Sequence, residues 1–186
     1  SVYSQNNIEA LFALMGKISG ESIQHHKNCD WIKIKGSVWP NQLYNLYAEE
    51  HELQEVLDGI EHRVQHAELP GLYMSNPATD RPYILEGLKR RGYPNSFWTA
   101  MTHPLKLDIK TFLPQGLVIS RINNKKHLTP WLDIVESELM GGAPLDRSVF
   151  QEILSSPDAF LFVGHYQTQP VSTALLFRHE NQGGIY

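Results

Sequence analysis

Two histidines one helical turn apart are the clearest candidates for metal chemistry in the sequence. His62 and His66 are four residues apart, so on a helix both imidazoles lie on one face and can share a cation. His51 and Glu55 lie nearby in the chain, but no third ligand stands at a recognised spacing. The pair therefore has two interpretations, a shared metal or a solvated helix face. We expect the solvated face, and no metal site.

Phosphate-binding and nucleophilic patterns are weaker. A phosphate cradle needs a glycine-rich loop that opens a helix, because free N–H groups at a helix N-terminus bind phosphate. The Gly141-Gly142 pair ends a predicted helix, and the Gly183-Gly184 pair enters a predicted strand. Ser172 has no neighbouring histidine to activate it. We therefore expect neither a phosphate-binding loop nor a nucleophilic serine.

Apolar periodicity in the first half of the chain predicts three helices. The first has Ser4 or Asn6 as its cap and ends at Gly20, the second carries Leu53 to Val64, and the third covers residues 82–91. Short strands are predicted at residues 31–34, 43–47, 72–74 and 97–102.

A second pattern follows a predicted linker over residues 105–116. Leu117–Ile122 alternates as a strand, Thr129 is expected to cap a helix, and Asp146 is expected to cap the next one. Residues 159–166 and 170–178 then form a long hairpin, and a further strand begins at Gly183. Four aromatic residues are expected in the core: Trp98, Trp131, Phe160 and Phe162.

Composition narrows the class of protein. The chain is 41% hydrophobic and 19% charged, as in globular proteins. A formal charge of -4 and a pI near 6.1 argue against a nucleic-acid partner. The single Cys29 excludes an internal disulfide and suits a reducing compartment. No apolar run approaches about 18 residues, so we expect no membrane association and a cytoplasmic location.

The order of elements after residue 117 resembles the first half of a GNAT acetyltransferase domain: a strand, two short helices, an antiparallel pair and a fourth strand. The strongest match is Phe160-Leu-Phe-Val-Gly-His-Tyr followed by Pro170-Val-Ser-Thr-Ala-Leu-Leu-Phe. The resemblance implies an α/β (α+β) fold with a mixed, mostly antiparallel sheet flanked by helices. Residues 83–101 are similar, more weakly, to the closing helix, glycine and strand of the same family.

The resemblance thus implies a tandem protein. Residues 1–112 would be a degenerate GNAT-like N-terminal domain, and residues 113–186 the N-terminal half of an acetyltransferase domain, so that the second copy is incomplete. In that family a loop of the form Arg/Gln-x-x-Gly-x-Gly/Ala follows the fourth strand and binds acetyl-CoA. We expect this loop to lie outside the chain, and we expect this fragment to be inactive and to bind acetyl-CoA weakly.

For the complete domain, the resemblance implies acetyl transfer from acetyl-CoA to an amine of a small molecule or peptide. It places two carboxylates beside the acceptor cleft as catalytic candidates, Glu136 and Glu138, although both also fit a solvated helix face. It implies substrate binding by Met140, Gly141 and Gly142. It implies cofactor binding by Ile185 and Tyr186, at the start of the fourth strand, where a backbone N–H would polarise the acetyl carbonyl.

Two alternatives stay open. The chain fits a non-catalytic GNAT-like binding or assembly module that forms homo-oligomers through an open sheet edge. It also fits an α/β protein unrelated to that family. Saturable binding of acetyl-CoA is expected only of the enzyme.

Overall fold

The computed structural model describes residues 2–75, 80–94, 96 and 112–186. In these ranges the chain is a mixed α+β protein with two antiparallel sheets. The α-helices are α1 (Val2–Ser19), α2 (Leu53–Gln65), α3 (Pro82–Arg90), α4 (Leu128–Ile134) and α5 (Arg147–Ile153). The strands are β1 (Gln24–His25), β2 (Asp30–Ile32), β3 (Gln42–Tyr44), β4 (Leu117–Ile122), β5 (Ala159–Tyr166), β6 (Gln169–His179) and β7 (Gln182–Ile185).

The N-terminal region contains a small sheet in the order β1-β2-β3. The predicted strands at residues 31–34 and 43–47 are present in shorter form, with Trp31 opposite Leu43. The strand predicted at residues 72–74 is reduced to one parallel bridge between Leu43 and Tyr73. Strand pairing over two or three residues cannot stabilise a sheet by itself. Side-chain packing against the rest of the protein must therefore stabilise this one.

Helix α1 ends as predicted and begins earlier than predicted. Gly20 follows its last residue with a φ of +79°, a left-handed conformation that glycine adopts without strain. Ser4 and Asn6 lie inside the helix, so neither is its N-cap. The caps were wrong because Leu11, Phe12 and Met15 are fully buried, and packing of such a face stabilises turns beyond any local capping signal.

Helices α2 and α3 match their predicted positions and pack closely together. A Cβ added at Gly87 of α3 would lie 2.7 Å from Leu53 of α2, so glycine allows the two backbones to approach. Leu53, Leu57 and Ile84 are buried at this contact. Cys29 is a free, buried thiol in the same cluster.

The C-terminal region is built on a four-stranded antiparallel sheet in the order β4-β5-β6-β7. The strand at Leu117–Ile122 and the hairpin are confirmed, and the hairpin turns at Gln167, whose φ is +58°. Thr129 is not a cap. Asn124 instead caps a 3₁₀ turn over Lys125–His127 by accepting a hydrogen bond from the His127 N–H, and α4 continues from that turn.

One face of this sheet is buried under helices. Leu161, Leu175 and Phe177 are buried there, where α1 and α4 pack on the sheet and α5 packs on both helices. Trp131 of α4 belongs to this core, as predicted. Phe160 and Phe162 do not, because strand residues alternate between faces and these two lie half-buried on the opposite side. Trp98 lies outside the described residues.

A single core cluster joins the two regions. It includes Phe12 and Tyr44 from the first region and Trp131 and Phe150 from the second. The ring of Trp39 lies 5.8 Å from Phe12 and 6.4 Å from Phe150 between centroids. Residues 97–111 lie outside the described part of the chain. They include the strand predicted at 97–102 and most of the linker predicted at 105–116. The predicted domain boundary between residues 112 and 113 adjoins this segment and stays a prediction.

Candidate functional site

The loop over residues 140–146, between α4 and α5, contains the predicted substrate-binding residues. Helix α4 continues into a π-helical segment, Val135–Leu139, and π-helical turns are frequent at functional sites. Gly141 and Gly142 then adopt φ values of +60° and +84°. The Gly142 N–H donates to the Glu136 carbonyl at 2.7 Å, so the chain turns sharply where the sequence predicted the end of the helix.

The Glu136 side chain links this loop to the helix through hydrogen bonds. Its Oε1 accepts the Leu145 N–H at 3.0 Å, and its Oε2 accepts a short hydrogen bond from Arg147. Arg147 also bonds Asp133 at 2.7 Å. Burial opposes ionisation of Glu136, but the bonds from Arg147 and Leu145 outweigh burial and lower its pKa. A carboxylate that is both engaged and stabilised as an anion is a weak base, so the geometry favours a positioning role for Glu136.

Glu138 is in a different environment. It is exposed, and its Oε1 accepts a hydrogen bond from the Ser137 hydroxyl at 3.1 Å. The neighbouring Leu139 is 65% exposed. Of the two predicted catalytic carboxylates, Glu138 is therefore the one more accessible from solvent.

The N-terminal region holds the other side of the loop. The Ser37 hydroxyl accepts the Asp146 N–H at 3.0 Å and donates to the Trp39 carbonyl at 2.7 Å. The Val38 N–H donates to the Pro144 carbonyl at 2.9 Å. Sequence reasoning missed Ser37 and Arg147, because partners so distant along the chain leave no local signal.

Of the two predicted cofactor-binding residues, Ile185 ends β7 and Tyr186 follows it, and their backbone groups point in opposite directions. The Tyr186 N–H donates to the Leu175 carbonyl at 2.8 Å, and its own carbonyl accepts the Leu175 N–H at 2.9 Å. Neighbouring residues of an antiparallel strand alternate in direction, so the Ile185 N–H points away from β6 toward the sheet edge. The Ile185 side chain is 77% exposed.

The Tyr186 side chain is used in packing. Its hydroxyl donates to the Asn7 Oδ1 at 2.7 Å, and burial raises its pKa to about 12. Asn7 is buried and also donates to the Phe177 carbonyl at 3.3 Å. Gly184 is needed here, because an added Cβ would collide with the Asn7 side chain. Helix α1 thereby fixes β7 in place.

Within the described ranges, no hydrogen bond or ion pair joins residues 140–146 to β7. Two open grooves, of about 420 and 350 Å³, lie elsewhere, in the N-terminal region. The larger is lined by Trp31 and Lys33, and the smaller by Arg91 and Tyr93. Neither contains a predicted site residue.

The described side chains include no group of three or more His, Cys, Asp or Glu residues placed to hold a metal ion. None of the helices in the described ranges combines the length and the apolar character needed to cross a membrane.

Comparison with known proteins does not assign this chain to a family. No protein-family model matches this chain, and a search of curated proteins finds no match. The class established by the fold is therefore a mixed α+β protein with two antiparallel sheets. The roles expected for Glu136, Glu138, residues 140–142, Ile185 and Tyr186 stay predictions.

Proposed function

We propose that residues 113–186 form the acceptor side of a GNAT-type N-acetyltransferase, which transfers acetyl from acetyl-CoA to an amine. The observation that carries the proposal is the order of elements: β4, α4 with its π-helical end, α5, the β5–β6 hairpin and β7. The four strands form one antiparallel sheet. This is the order that the sequence resemblance implies. We also propose that the protein is a tandem one, with a degenerate copy of the domain in residues 1–112. This second proposal depends on α3 and on Gly92, which follows it.

The proposed chemistry depends mainly on positioning. The amine nitrogen attacks the thioester carbonyl, the C–S bond breaks, the thiolate leaves, and the nitrogen loses a proton as the amide forms. In this proposal the outward N–H of Ile185 donates to the carbonyl oxygen as negative charge develops there. The loop over residues 140–146 bounds the amine, and the exposed Glu138 accepts its proton.

A non-catalytic GNAT-like binding module is the second candidate. The engagement of Glu136 by Leu145 and Arg147 favours it, since it removes one of the two candidate bases. No glycine-rich loop opens a helix in the described residues, and such a loop is the usual support for the cofactor phosphates.

Titration of acetyl-CoA into the 186-residue chain, followed by calorimetry, separates these candidates. The enzyme predicts weak but saturable binding, because the loop that binds the cofactor phosphates is expected outside the chain. Ile185→Pro should weaken this binding by a further tenfold or more, the equivalent of one lost hydrogen bond of about 1.4 kcal/mol. Proline is tolerated at an edge position whose N–H faces outward, so the β6–β7 pairing should survive.

Ile185→Val is the matched control, because it keeps the N–H and a β-branched side chain. Its affinity should equal that of the parent chain. Equal binding by the proline and valine variants would remove Ile185 from the site. Absence of saturable binding in the parent chain would contradict cofactor binding by residues 113–186 and favour the binding module.

A further inference from the structure

The end of α2 presents two exposed imidazoles in contact with each other. The ring centroids of His62 and His66 are 4.2 Å apart, with the planes inclined at 42°. Both side chains are exposed, so an ion can reach them from solvent. Two side chains four residues apart on a helix are neighbours on its surface, and here both carry a nitrogen that can bind a metal.

One hydrogen bond prepares His66 for such a role. Its Nδ1 lies 2.7 Å from the His62 carbonyl oxygen. A carbonyl oxygen only accepts, so Nδ1 carries the proton and the lone pair is on Nε2. Metal-binding histidines commonly donate their second ring N–H to such a carbonyl, which fixes the tautomer and the orientation of the ring.

The charges around the pair also favour a cation. His62 lies in the last turn of α2 and His66 is its C-cap, at the helix end that carries partial negative charge. Arg63, the nearest cation in sequence, points elsewhere, since it lies 5.1 Å above the Trp31 ring and its Nε bonds Glu68 at 3.1 Å.

The sequence favoured a solvated face here, but the contact between the rings and the fixed tautomer of His66 favour the other interpretation. We propose that His62 and His66 form an exchangeable site for a borderline divalent cation of the Zn²⁺, Ni²⁺ or Cu²⁺ type. Imidazole nitrogen is a preferred ligand of these ions and a poor one for Mg²⁺ or Ca²⁺. Within the described residues no third side chain completes the site, so water fills the remaining coordination positions. The site is independent of acetyl transfer, because its residues lie in the N-terminal region on α2.

The test is calorimetric titration of the full chain with Ni²⁺, and separately with Mg²⁺. We compare the parent with His62→Gln, His66→Gln and the control His51→Gln, which removes an exposed histidine just before α2. Either pair variant should bind Ni²⁺ at least about tenfold more weakly, since loss of even an outer-shell partner costs that much. The control should bind as the parent does, and Mg²⁺ should produce no saturable signal.

Glutamine keeps helix propensity at these exposed positions, and far-ultraviolet circular dichroism verifies that each variant is folded. A second readout is nuclear magnetic resonance of the histidine ring protons during addition of Zn²⁺, in which the His62 and His66 signals should shift before any others. Unchanged Ni²⁺ affinity in both pair variants, or no saturable binding by the parent, would overturn the proposal.

Discussion

The two sheets of this protein are stabilised by different means. Strands β1, β2 and β3 have two or three residues each, whereas β5 has eight and β6 has eleven. The long strands pair through backbone ladders on both sides of β5, with a register shift on the β6 side between Gly164 and His165. The short ones cannot, so much of their backbone must find other partners.

Side-chain amides bond the backbone of the segments that flank these short strands. Asn41 accepts the Ile34 N–H at 2.6 Å and donates to the Ile34 and Ser37 carbonyls. Asn28 donates to the Tyr47 carbonyl at 3.0 Å. The first region therefore depends on a few individual polar side chains, and the second on repetitive pairing that no single side chain controls.

The largest effect is expected where the two regions meet. Phe150 is 1% exposed and lies 5.4 Å from Trp131 between ring centroids. Phe150→Ala should lower the free energy of unfolding by about 3–5 kcal/mol, because it leaves a cavity in a core that both regions share. Urea unfolding followed by tryptophan fluorescence and by circular dichroism measures this.

Both probes should report one transition, since a shared core makes unfolding cooperative. Phe162→Ala, on the opposite and half-buried face of the sheet, is the control and should cost less than half as much. Separate transitions for the two probes would mean that the regions unfold independently.

A smaller loss is expected from Asn41→Ala, which tests the dependence of the first region on side-chain amides. The substitution removes three hydrogen bonds to the backbone of a part-buried loop. The Ile34 carbonyl keeps its bond from the Ser37 N–H, but the Ile34 N–H and the Ser37 carbonyl lose the amide that pairs them, so the loss should be about 1–3 kcal/mol. Chemical denaturation measures the loss. Asn123→Ala, at an exposed position that accepts one bond from Asn124, should change stability by less than about 0.5 kcal/mol. Equal losses in the two variants would contradict the contrast.

The smallest effect is expected from Glu136→Gln, at the loop of the candidate site. The loss should be about 1 kcal/mol at neutral pH, because Gln can still accept the Leu145 N–H while losing its charge toward Arg147. Glu138→Gln, at an exposed carboxylate, should leave stability unchanged. Denaturation of both variants across a pH series provides the measurement.

The contribution of Glu136 to stability should change with pH in a defined direction. Burial raises the pKa of Glu136, but its bonds to Arg147 and Leu145 prevail, so in the folded state the pKa lies below its ordinary value of 4.5. A lowered pKa contributes stability above the ordinary value, and the contribution disappears as pH falls through the folded one. The difference between parent and Glu136→Gln should therefore shrink in acid. A difference that is constant with pH would mean that the charge of Glu136 is not what holds the loop.

Local patterns were enough for most elements. The strand at Leu117–Ile122, the hairpin, α2, α3 and the Asp146 cap were all predicted correctly, because alternation, apolar periodicity and capping residues act over a few neighbours. Caps at Ser4, Asn6 and Thr129 were wrong, since burial of α1 and a 3₁₀ turn before α4 extended those helices. The π-helical end of α4 was not predicted.

The sequence by itself determined the order of the helices and strands from residue 117 onward, the spacing of His62 and His66, and the candidate carboxylates. Only the tertiary structure decided which groups are available: it tied Glu136 to Leu145 and Arg147, left Glu138 exposed, and paired the Tyr186 N–H while turning that of Ile185 outward. The physical reason is the distance along the chain over which each kind of interaction acts. Propensity and periodicity act within a helical turn or a strand pair, whereas availability depends on hydrogen bonds and burial between residues far apart in the chain.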